Sequence, residues 1–221
     1  SGTYTVNGTV TANNSIINLS GGTLTGTGTL ASTGTGALKA LNWTGGTISS
    51  STLKISSLTI TNDYGTPVLN GTTLNTSGNT VWTGNQGGYI YASNGAIWNN
   101  TSTGNIDIQA DVALYNSYSG TAPTFNNAGS LIKSKGSSTS SSTTIGIAFN
   151  NTGTVEVKAG TLNISGGGTS TGSFTVDSGA TLGFNNYTFN DGTNFNGSGN
   201  IALSSGTYTV NGTVTANNSI I

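Results

Sequence analysis

The side chains able to do acid–base or metal chemistry are few. The 221 residues hold six carboxylates, Asp63, Asp107, Asp111, Glu156, Asp177 and Asp191, and five lysines, with no His, Cys, Met or Arg. Two carboxylates that hydrolyse a glycosidic bond stand roughly 5 to 9.5 Å apart. Only Asp107 and Asp111 are close in sequence, and four positions along an extended segment put them on one side at roughly 13 Å. That spacing predicts isolated, solvent-facing carboxylates. Without His or Arg the means for general acid–base work and for oxyanion stabilisation are thin. Without Cys there is neither a disulfide nor a thiolate metal site. The glycine-rich runs from Gly21 and Gly166 lack the Asp of a calcium-binding GGxGxD repeat. No Gly-Lys-Ser or Gly-Lys-Thr follows them, so they are not phosphate loops. The expectation is a chain that is not an enzyme and uses no cofactor or metal.

The elements that carry these residues are unusual in composition. Charged residues make up 5% of the chain, against about 25% in an average soluble domain. Thr, Ser, Asn and 35 glycines fill much of the rest, yet 33% of residues are hydrophobic and the formal net charge is −1. Disorder pairs low hydrophobicity with high net charge, so this composition predicts a folded chain. Five scattered lysines give no electrostatic footprint for nucleic acid. No apolar run reaches the roughly 18 residues that cross a bilayer.

Two periods organise the sequence. Ser1–Ile17 reads SGTYTVNGTVTANNSII, and Ser205–Ile221 repeats it at every position, an offset of 205 − 1 = 204 residues. The expectation is one unit over 1–204 and the start of an identical unit over 205–221, a window of a tandem array. Within the unit, an apolar residue, Asn and a turn recur as LNTSG from Leu74, WNNTSTG from Trp98, FNNAG from Phe125 and FNNTG from Phe149. Together with shorter glycine-bounded steps, these spacings predict coils of roughly 20 to 27 residues and about nine coils per unit.

Between the turns, residues alternate with the period of a half-buried strand, as in Val155 and Val157 around Glu156, Leu162 and Ile164 around Asn163, and Phe174 and Val176 around Thr175. The class is all-β. A sandwich gives no reason for repeating coils, whereas a solenoid explains both periods. The predicted fold is a right-handed parallel β-helix without caps. Asn99, Asn126, Asn127, Asn150 and Asn151 recur at one place per coil, where amides can bond into a ladder. Trp98 takes the place of Phe125 and Phe149.

FNNTGTVEV from Phe149, GTLNISGGGTSTG from Gly160, SFTVDSGATLGF from Ser173 and NWTGGTIS from Asn42 resemble the tandem β-helical repeats of giant secreted bacterial surface proteins. They are similar in style to filamentous haemagglutinin and autotransporter adhesin stalks. The resemblance implies a secreted, cell-surface location and a structural or adhesin-like role. It brings no catalytic residues. On this reading the partners are copies of the chain, end to end and side by side, and surface glycans.

One local pattern suggests a contact surface. Aromatic residues concentrate between Trp82 and Tyr118, and in GYIYAS the tyrosines Tyr89 and Tyr91 alternate with Ile90 and Ala92. If Ile90 and Ala92 face inward, the two tyrosines form an outward ledge, suited to stacking on a sugar or packing against a neighbouring filament. Thr-x-Thr runs such as TYTVNGTVT resemble ice-binding faces, but the threonines do not keep one register over many coils.

Overall fold

The computed structural model describes residues 2–12, 16–32, 41–49, 52–63, 65–85, 87–117, 120–136, 142–217 and 219–220. Among them are 31 short strands and no helix, hence no helix long and apolar enough to cross a membrane. The strands form three parallel sheets, and each sheet takes every third strand in sequence order. The chain therefore winds as a β-solenoid that gives one strand to each face per turn. We call the sheets first, second and third, beginning with the sheet that holds Thr3–Val6.

Alternation along each strand sends one set of side chains inward, and parallel register stacks that set on its neighbours. On the second sheet Leu53, Leu74, Trp98, Phe125 and Phe149 form one column. The rings of Trp98 and Phe125 stack with centroids 5.0 Å apart, and Phe125 meets Phe149 edge-on at 5.2 Å. Trp98 thus shares the column of the two phenylalanines. On the first sheet Ile90, Leu114, Ile145, Ile164 and Phe184 stack in the same way. Nearly all of these residues are sealed from solvent and belong to one continuous core. Buried indole N–H groups find acceptors, as buried tryptophans require: Trp82 Nε1 donates to Asn62 Oδ1 at 2.7 Å and Trp98 Nε1 to Thr76 Oγ1 at 3.1 Å.

The coils vary more in length than the sequence spacing predicts. The step is 17 residues from Leu41 to its neighbour Leu58 and 31 from Leu114 to Ile145. Parallel pairing fixes only the strands, so a turn can lengthen at the surface without disturbing the core. Where coils shorten, glycine makes the room. After Phe149 the second-sheet column holds Gly168 at φ +132°, where an added Cβ would lie 1.9 Å from the Phe149 carbonyl oxygen. The next residue in the column is Tyr187, whose hydroxyl donates to that same carbonyl at 3.0 Å and to the Thr169 carbonyl at 2.9 Å.

Candidate functional site

The exposed aromatic cluster lies on the first sheet. Its strand, Tyr89–Ser93, follows a turn through Gly87, which sits at φ +87°, a conformation that only glycine takes without strain. Asn62, buried in the coil below, donates Nδ2 to the Tyr89 carbonyl at 2.9 Å while its Oδ1 accepts from Trp82. One amide therefore ties the start of the strand to the core. Ile90 and Ala92 point inward at 0% and 1% exposure, which turns Tyr89 and Tyr91 outward.

Tyr115, which the alternation in GYIYAS gave no reason to include, completes the cluster. It is the register neighbour of Tyr91 on the following coil. Tyr91 and Tyr115 are 36% and 40% exposed. The Tyr89 ring lies 5.0 Å from that of Tyr91 and 6.3 Å from that of Tyr115, tilted in both cases. The signal was present in the spacing, since Tyr91 and Tyr115 are 24 residues apart, the step also seen from Leu74 to Trp98. Beside Tyr89 runs an open groove of about 250 Å³ lined by Asn62, Asp63, Asn85 and the Gly87–Gly88 turn. Apolar ring faces next to amide and carboxylate groups make a surface of mixed character. Tyr118 lies outside the described residues.

The asparagines form two files rather than one. Asn99, Asn126 and Asn150 lie on the outer side of the second sheet, where Asn99 donates to Asn75 at 2.8 Å, Asn126 to Asn99 at 2.9 Å and Asn150 to Asn126 at 3.0 Å. Asn127 and Asn151 point inward with Asn100, where Asn100 donates to Asn127 at 2.7 Å and Asn127 to Asn151 at 2.8 Å. Consecutive residues of a strand face opposite ways, so each Asn-Asn pair supplies one member to each file. The inner amides also close the corner between the second and third sheets: Asn100 donates to the Ser130 carbonyl at 3.0 Å and Asn127 to that of Thr154 at 3.1 Å.

The acids depart from the expected picture at one point. Asp107 faces outward and accepts from the Gln109 amide, but Asp111 is buried in a bend, not solvent-facing and not on the same side. The chain leaves its strand at Ile108, so the extended spacing assumed for the pair does not apply. Asp111 pairs with Lys133 at 3.0 Å, and both side chains are almost wholly buried. Lys133 occupies the inward column of Ile108 and Val157 on the third sheet. Its ammonium also donates to the carbonyls of Ala110, at 2.9 Å, and Lys135. Burial holds its pKa below the ordinary lysine value, with the Asp111 hydrogen bond and charge opposing only in part. Three acceptors match the three ammonium donors, so this pair ties one turn to the next inside the solenoid. Glu156 and Lys158 form an exposed pair at 3.4 Å, of little energetic weight. Among the described residues no three acidic side chains gather as a metal site would require.

The fold and these surfaces define the chain as a parallel β-solenoid with an aromatic patch on one face. No family model, no curated protein and no solved structure matches it.

Proposed function

We propose that the chain is a structural repeat of an extracellular fibre, a stiff rod built by stacking coils of successive units. The observation that carries this reading is the recurrence of one 17-residue sequence in the first and last coils. A solenoid coil leaves a row of unpaired backbone groups above and below, and a repeat that re-creates its own first coil supplies a mate for them. A core of side chains stacked without interruption supports the stiffness, and a surface with few charges supports close packing of rods. Chains of two, three and four units viewed by electron microscopy test the proposal. The expected result is a rod that lengthens by about 45 Å per unit at ~4.8 Å per coil; separate beads joined by flexible links would overturn it.

The tyrosine cluster favours a second reading, in which the rod is the stalk of an adhesin and binds glycans along its length. Aromatic faces stack on the apolar face of a sugar, and Asp63 and Asn85 stand beside Tyr89 to accept and donate hydrogen bonds. Glycan-array binding that disappears on Tyr89→Ser with Tyr91→Ser would support it. Loss of rod bundling by the same variant, with no glycan bound by the parent, assigns the patch to contacts between rods.

A further inference from the structure

The two copies of the 17-residue sequence do not occupy the same faces. In the first copy Thr3–Val6 lies on the first sheet, with Thr5 paired to Thr25 and Val6 to Gly26. In the second copy the matching Thr209–Val210 lies on the second sheet, with Thr209 paired to Thr188 and Val210 to Phe189. The next strand shifts in the same sense. Thr9–Ala12 is on the second sheet, whereas its counterpart Thr215–Ala216 is on the third.

Strand counting gives the reason. From Thr3–Val6 to Thr209–Val210 there are 28 steps of one strand, which is nine turns of three strands and one strand over. Coil lengths on the two sides of the junction allow the shifted stacking. The step is 20 residues from Val6 to Gly26 and from Val10 to Leu30. It is 21 from Phe189 to Val210 and from Phe195 to Ala216, and 19 from Leu182 to Ile201. Coils so close in size can be laid on one another a third of a turn out of phase, because each face receives one short parallel strand per turn, and the inward residue of the incoming strand stacks on the inward residue below, as Val210 does on Phe189.

We infer that the 204-residue repeat spans nine and one-third turns, so that each unit is rotated by a third of a revolution on the one before it. The inference rests on the tandem-array reading and deepens it. The surface concerned is the exposed last coil, and its partner is the next copy of the same sequence. The consequence is a change in what the rod displays. A single unit carries Tyr89, Tyr91 and Tyr115 on one face only. Successive units carry them to each of the three faces in turn, and the pattern closes after three units, about 135 Å at ~4.8 Å per coil. A rod of this kind can meet neighbours on all sides instead of along one edge.

Two experiments test this, and the absence of cysteine makes both clean. In the 221-residue chain, Thr188→Cys with Thr209→Cys places two outward positions on adjacent parallel strands, roughly 4.8 Å apart and within disulfide reach. Oxidation is expected to join them nearly completely, since Thr209 is the register partner of Thr188; a pair that stays reduced overturns the sheet shift. In a four-unit chain, Lys158→Cys in every unit is labelled with gold and imaged. Labels that step round the rod and return to one side at every third unit are the expected result. A continuous rod with all labels on one side sinks the rotation and leaves the array reading standing. Separate beads sink the array reading and the rotation with it.

Discussion

Lys133 Nζ lies 3.0 Å from Asp111 Oδ1 at a place in the core where the coils before and after it carry Ile108 and Val157. A buried pair of this kind costs a great deal to break by halves and much less to replace whole. Lys133→Ala should destabilise the fold by about 3 to 5 kcal/mol, because Asp111 is left buried without its cation. Lys133→Met with Asp111→Ala should cost far less than the sum of the single changes. Urea unfolding of the two single variants and the double variant measures this.

The same lysine gives a pH dependence with a definite sign. Its pKa in the folded chain is held below the ordinary 10.5 by burial. Between those two values the unfolded chain binds more protons than the folded one, so stability rises with pH. Tyr187 acts oppositely. Burial pushes its pKa well above the ordinary 10.0, so the folded chain keeps a proton that the unfolded chain loses, and stability falls above about pH 10. Unfolding midpoints should therefore climb on approach to pH 10 and decline beyond it. Lys133→Met should remove the climb, and Tyr187→Phe should soften the decline.

The two asparagine files should differ in weight. Asn127→Ala takes a partner from the buried Asn100 amide and from the part-buried Thr154 carbonyl, and should cost about 1 to 3 kcal/mol. Asn126→Ala breaks the outer file, where water can take up the freed groups, and should cost under about 1 kcal/mol. Thermal unfolding of the two variants should rank them in that order.

Glycine substitutions should separate conformation from crowding. Gly87 and Gly168 both have positive φ, but an added Cβ meets nothing within 4 Å at Gly87 and lies 1.9 Å from Phe149 O at Gly168. Gly87→Ala should cost roughly 1 to 2 kcal/mol from backbone strain. Gly168→Ala must also push two coils apart and should cost more than about 3 kcal/mol. Calorimetry of both variants would show whether coil spacing is as unyielding as the Tyr187–Phe149 hydrogen bond implies.

Much of the fold was legible because a solenoid is nearly one-dimensional. Alternation in TVEV or TLNI says which residues face inward, and the recurrence of WNN, FNN and FNN says which residues stack, since each coil touches only its neighbours. The inward turn of Ile90 and Ala92 follows from the same alternation. The sequence by itself thus determined the parallel coils, the stacked column of Trp98, Phe125 and Phe149, and the 204-residue repeat. The tertiary structure decided what depends on turns and on register between coils. It added Tyr115 to the tyrosine cluster, because which outward residue lies over which depends on how many residues each turn absorbs. It buried Asp111, because a bend can face a side chain inward where a strand pattern says nothing. It also put Thr5 and Thr209 on different sheets. The 204-residue period was visible in the letters, but the division of that period into strands, and the one strand left over, came only from counting them in the folded chain.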